Sequence, residues 1–122
     1  MAHNPGFLKL VNDAKAQVKE MDLPAYLKMR ELGQAHVLVD TREDNEWAAG
    51  HVAGAVHLSK GIIERDIEKT IADPSATIVL YCGGGFRSAL VADSLQQMGY
   101  SNVRSLVGGW RGWCDAGYPV EE

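Results

Sequence analysis

Cys82-Gly83-Gly84-Gly85-Phe86-Arg87-Ser88 is the stretch of this chain richest in potential chemistry. A thiol is followed by three residues without side chains, then by an aromatic ring, a fixed positive charge and a hydroxyl. Glycines let the backbone curl until successive N–H groups converge. A helix beginning directly behind them adds its own unpaired N–H groups and the positive end of its dipole. Such a cradle favours a sulfur anion, so the thiolate is the expected form, and Arg87 adds a full charge at the rim or as a brace. The plain alternative is a small buried residue at a demanding turn. One glycine would make that junction, and three give up more chain entropy, which argues for a reactive Cys82.

Loop length then separates two chemistries. Four residues lie between Cys82 and Arg87. Cysteine phosphatase cradles use one more, because a tetrahedral phosphoryl group needs a wider ring. The tighter ring suits a single extra sulfur on the cysteine, and sulfur transfer is favoured over phosphoryl transfer.

The elements that must position this loop are legible from periodicity. Thr77 to Tyr81 is the strongest strand, and it runs straight into Cys82. Ala89, Leu90, Ala92, Leu95 and Met98 continue at helical spacing and stop at Gly99. His36 to Asp40 reads as a second buried strand, Ala53 to Leu58 as a third, and Val103 to Leu106 as a fourth. Ala16 to Met21 is a candidate edge strand. Helices are predicted after Pro5, over Leu23 to Leu32 with Asp22 as N-cap and Gly33 as terminator, over Glu64 to Ile71, and around Trp110 to Cys114. Thr41 to Gly50 reads as a charged loop or short helix anchored by Trp47. Short apolar strands alternating with helices through long connections imply an α/β fold. That pattern gives three layers, with a central parallel sheet covered by helices on both faces.

Several residues outside the loop are candidates. Asp40 ends a buried strand and needs a partner there: Arg87 or loop N–H groups if it braces the cysteine loop, against a role as a local turn cap. Arg42 is assigned to donor binding, against a surface salt bridge with Glu46. Ser88 either caps the helix or donates to the Cys82 sulfur, and the cap is preferred. His51 and His57 are read as structural. Glu64 is read as a solvated helix position with a minor claim on the site. Cys114 is expected to be a packed, inert thiol, and Trp110 to edge a pocket. Two cysteines far apart make a poor metal ligand set.

The 122 residues amount to one domain, large enough to bury about two thirds of its surface on folding. With 12 basic against 16 acidic residues and a net charge of -4, nothing favours nucleic acid or an anionic membrane as a partner. No cationic segment leads into an apolar run, so a secretory signal is not expected. A reducing cytoplasm is the default compartment.

Together the segments resemble a single-domain rhodanese. The likeness rests on Leu38-Val39-Asp40-Thr41-Arg42-Glu43 with Glu46 and Trp47, on Gly50-His51-Val52-Ala53-Gly54-Ala55-Val56-His57, and on Cys82 to Ser88. Gly99-Tyr100, Gly108-Gly109-Trp110 and Ala116 to Val120 complete it. The resemblance covers 16–122 as a rhodanese-like domain, with 1–15 as a helical extension like that of some bacterial members. It implies sulfur transfer in two steps. The Cys82 thiolate takes the outer sulfur of thiosulfate, or of an organic or protein persulfide, and the resulting persulfide yields it to a thiol or cyanide. Cys82 and Arg87 are then the catalytic residues. Gly83, Gly84, Gly85, Phe86, Ser88 and Arg42 bind substrate, Asp40 supports them as the acid of an acid–arginine pair with Arg42, and no metal or organic cofactor is needed. Several thiosulfate-active members carry a basic residue immediately after the cysteine, where this chain has Gly83. A less positive mouth is therefore expected, with weak thiosulfate turnover and an organic or protein persulfide as the better donor. The competing readings are a non-catalytic protein-binding or redox-sensing module and, less favoured, a small cysteine phosphatase or arsenate reductase.

Overall fold

The computed structural model describes residues 3–122. The chain runs α1 (Pro5–Lys15), β1 (Lys19–Met21), α2 (Leu23–Glu31), β2 (Val37–Asp40), α3 (Asp44–Ala49), β3 (His51–Val52) and β4 (Val56–His57). It continues through α4 (Ile63–Thr70), β5 (Ile78–Tyr81), α5 (Phe86–Gln97), β6 (Val103–Leu106), α6 (Gly109–Asp115) and β7 (Val120–Glu121). Five strands form one parallel sheet in the order β1-β6-β5-β2-β4. The strand leading into Cys82 therefore lies at the centre, where the expected α/β architecture puts its most apolar strand.

Alternation along each strand divides the core into two layers. Val39, Ile78, Leu80 and Val103 face Ile63, Ile67, Val91 and Leu95 on one side of the sheet. Leu38, Val79, Tyr81 and Leu106 face Tyr26, Met29 and Trp113 on the other. Helices α4 and α5 thus cover one face, and α2 and α6 the other. The Ile63, Ile67 and Ile71 stripe is buried as its spacing predicted. Asp22 caps α2 by accepting the Ala25 N–H at 2.9 Å, and Gly33 follows the helix at φ +67°. Helix α1 packs on α5 and buries Val11 and Ala14.

The expected strand over Ala53 to Leu58 is shorter than predicted. A turn at Ala53-Gly54 separates β4 from β3, which leaves the main sheet to pair antiparallel with β7. Two-residue strands carry too little alternation to be read from sequence. Among the described residues, no helix is long and apolar enough to cross a membrane.

Candidate active site

Cys82 follows the central strand and is 1% exposed. Its sulfur accepts the Gly85 N–H at 3.1 Å and lies 3.5 Å from Ser88 Oγ. Gly85 precedes α5 at φ +99°, a conformation that a side chain rarely adopts and that turns its N–H back onto the sulfur.

Helix α6 fixes the far side of the loop. The Trp110 N–H donates to the Cys82 carbonyl at 2.8 Å, and the Arg111 N–H to the Gly83 carbonyl at 3.1 Å. These are first-turn donors with no partner inside their own helix. In a trans peptide the C=O and the next N–H point opposite ways. Holding those two carbonyls toward α6 therefore turns the Gly83 and Gly84 N–H groups away from it. The approach is so close that a Cβ on Gly109, itself at φ +50°, would collide with the Cys82 carbonyl oxygen.

Arg87 braces the loop instead of lying free at its rim. Its two terminal nitrogens reach the two Glu46 oxygens at 2.8 and 3.1 Å, a bidentate arrangement stronger than a single contact. Glu46 is held in turn by a capping box, accepting the Glu43 N–H at 3.0 Å. The Arg87 guanidinium keeps the Glu46 carboxyl below its usual range. Glu46, and then the neighbouring Cys82, raise Arg87 above its own.

Asp40 caps its local turn and pairs with Arg42, as the resemblance implies, instead of bracing the cysteine loop. Its carboxylate takes Arg42 Nε at 3.1 Å and Arg42 Nη2 at 2.8 Å, plus the Arg42 backbone N–H at 2.8 Å. Neither Arg87 nor the cysteine loop serves it. Arg42 also donates to the Gly50 carbonyl at 2.6 Å and lies against the Trp110 ring, 4.5 Å from its centroid. Arg42 is 3% exposed, has Nε and Nη2 engaged, and does not line the pocket described below, so the geometry does not support its expected part in donor binding. The proposed surface bridge to Glu46 is absent too, since Glu46 holds Arg87. The Tyr81 phenol accepts the Val52 N–H at 3.0 Å. Burial, with the Asp40 carboxylate beside it, pushes that phenol well above its ordinary range.

Ser88 is not a cap. Gly85 holds that position, and Ser88 is buried inside α5 with its hydroxyl 2.7 Å from Ser105 Oγ as well as near the sulfur. His51 and His57 stack on Trp47, and their rings donate to the Trp47 and Arg42 carbonyls at 3.1 and 2.8 Å. Both rings are engaged in stacking and backbone contacts, and neither lines the pocket over Cys82 described below. Glu64 lines a separate depression with Leu10 and Lys60. Cys114 is exposed, not packed, because the burial of Trp113 turns the next residue outward. Desolvation nonetheless holds its thiol above the ordinary range, with the Asp115 charge adding to it.

A pocket of about 430 Å³ opens over the sulfur, lined by Cys82, Gly84, Phe86, Arg87, Arg111, His3 and Phe7. Arg111 escaped the sequence reading. Its guanidinium lies over the loop, within 3.4–3.7 Å of where Cβ atoms on Gly83 and Gly84 would stand. Trp110, expected at a pocket edge, instead covers Arg42. The mouth therefore carries Arg111 beside the Glu46-paired Arg87, and is more positive than Gly83 alone implied. Among the described residues, no cluster of side chains is arranged to hold a metal ion.

Comparison with known proteins agrees with this architecture. A thiosulfate sulfurtransferase GlpE from Haemophilus influenzae is 38% identical over 88 residues, covering 72% of this chain and 82% of that protein. Its namesake from Coxiella burnetii is 31% identical over 97 residues, covering 80% and 85%. Among solved structures, a Rhodopseudomonas palustris protein of unknown function, described as a possible tyrosine phosphatase, superposes with a TM-score of 0.83. It shares 26% identity and covers 99% of this chain and 98% of its own. The human single-domain sulfurtransferase superposes at 0.70 with 22% identity, covering 80% and 96%. The family model described as Rhodanese-like domain matches residues 23–116, so the chain belongs to the rhodanese-like family.

Proposed function

We propose that this chain is a sulfurtransferase that carries sulfane sulfur as a persulfide on Cys82. The observation that carries the reading is the Cys82 sulfur at the base of a cationic pocket, bonded by the Gly85 N–H. Relatives named as thiosulfate sulfurtransferases support sulfur transfer in general. The sulfur attacks the outer sulfur of thiosulfate, a new S–S bond forms, and the old one breaks with its electron pair leaving on sulfite. Arg111 faces the charge that accumulates on the departing oxygens, while Arg87 stays paired with Glu46. The persulfide is itself an anion, so the loop that held the thiolate holds the intermediate. A thiol or cyanide then removes the outer sulfur and restores Cys82.

Phosphoryl transfer fits less well, despite the description of the Rhodopseudomonas relative. The loop is one residue short for a phosphoryl group, and the Arg87 nitrogens that would grip it are committed to Glu46.

Thiocyanate formation from thiosulfate and cyanide tests the proposal. Activity is expected in the wild type and lost in Cys82→Ser. Arg111→Gln is expected to raise KM for thiosulfate about tenfold, the usual cost of one charged hydrogen bond near solvent. Cys82-dependent hydrolysis of p-nitrophenyl phosphate without thiocyanate formation from thiosulfate or glutathione persulfide would instead make the protein a phosphatase.

A further inference from the structure

The pocket over Cys82 has two unlike walls. One is cationic, built from Arg87 and Arg111. The other is aromatic and is supplied largely by residues that precede the family-matched span of 23–116. His3 meets Phe86 edge-on with ring centroids 4.7 Å apart, and meets Phe7 at 5.3 Å. Phe7 and Phe86 stand 6.2 Å apart. These spacings fall in the range of favourable aromatic pairs. The cluster is held from behind. Val11 and Ala14 anchor α1 on α5, and the Lys15 ammonium lies 4.9 Å from the Phe86 ring centroid.

A thiosulfate ion has use for the cationic wall alone. It has no apolar surface to offer three rings, and a pocket of about 430 Å³ is in the range that binds organic molecules. Resting on the sulfur-transfer reading, we infer that His3, Phe7 and Phe86 form a subsite for the organic body of the sulfur donor. The donor class is a small organic thiosulfonate, R–SO2–S⁻, or persulfide, R–S–S⁻, whose R group is aromatic or bulky and apolar. Cys82 attacks the outer sulfur and the new S–S bond forms. The bond to R–SO2 or R–S breaks, and that group leaves as the sulfinate or thiolate with its electron pair. No proton, oxidant or metal enters the step. The aromatic wall holds R while the Arg111 guanidinium faces the anionic end.

The test compares two donors of the same reactive type, the benzenethiosulfonate and methanethiosulfonate anions, with cyanide as acceptor and thiocyanate as readout. Any intrinsic difference in their reactivity cancels when the ratio of their kcat/KM values is compared between wild type and variant. In Phe7→Ala the benzene-over-methane ratio is expected to fall about three- to tenfold, the worth of lost aromatic contacts. Phe7→Leu, which keeps apolar volume under α1, is expected to give an intermediate ratio, so a packing defect is distinguishable from a lost ring. An unchanged ratio in both variants, or an equal fall for thiosulfate and both thiosulfonates, overturns the subsite while leaving sulfur transfer intact. Absence of thiocyanate from every donor in the wild type overturns the sulfur-transfer reading itself, and the subsite with it.

Discussion

Arg42→Ala is expected to lower folding stability by about 3–5 kcal/mol, because it strands the Asp40 carboxylate inside the protein. Asp40 is 0% exposed, and the guanidinium supplies most of the donors it has. The same guanidinium ties the Gly50 carbonyl and supports the Trp110 ring, so three segments loosen together. Urea unfolding measures the cost. The companion Asp40→Asn/Arg42→Met is expected to recover a substantial part of it, since the pair then contains no buried charge to strand. Equal stability losses in the single and double variants would mean that packing against Trp110, not the ion pair, is what Arg42 contributes. Thiosulfate KM in whatever Arg42→Ala protein folds is expected to change little, as Arg42 does not line the pocket.

Gly109→Ala is expected to cut sulfur transfer about a hundredfold, because displacing a reacting group by about 1 Å has that order of effect. A methyl at position 109 meets the Cys82 carbonyl head-on. That carbonyl must move, and with it go the hydrogen bonds that orient the first two peptides of the loop. Gly108→Ala supplies the comparison. Gly108 is also in the left-handed region, at φ +81°, but a Cβ there stands 3.8 Å from its nearest neighbour, Gly112 Cα, an ordinary contact. It bears backbone strain of about 1–3 kcal/mol without the collision. Activity close to wild type is expected in Gly108→Ala and not in Gly109→Ala. Full activity in the latter would show that the grip of α6 on the loop is dispensable.

These two results bear on how much the sequence reveals. The central strand, the glycine loop behind it, the isoleucine stripe and the Asp22 cap all follow from local pattern, and all stand in the structure. Pairing among charges does not. By local pattern Asp40, Arg42, Glu46 and Arg87 allow more than one set of ion pairs; the family resemblance names Asp40 with Arg42, and the fold adds Glu46 with Arg87. The Glu43-Asp44-Asn45-Glu46 spacing, a capping box, was the available sign that Glu46 would be fixed beside α3 and free to hold an arginine. Arg111 had no local signal. It matters because α6 docks on a loop whose glycines leave room above them, and that room exists only once the sheet order is known. The same applies to His3 and Phe7, which reach the pocket because α1 packs along α5. Cys114 shows the opposite failure. Its neighbouring tryptophans suggested burial, and Trp113 is buried with Trp110 packed partly on the same core, but Cys114 turns outward.

The most direct measurement of the central claim is the intact mass of the reduced protein after brief, air-free exposure to thiosulfate, beside Cys82→Ser treated identically. A persulfide on Cys82 predicts a gain of about 32 Da that dithiothreitol removes and the serine variant lacks. Reversal is essential, because a sulfinic acid adds nearly the same mass and resists thiol. Absence of a reversible adduct on Cys82 with thiosulfate and, on repetition, with benzenethiosulfonate and glutathione persulfide would contradict sulfur transfer through Cys82.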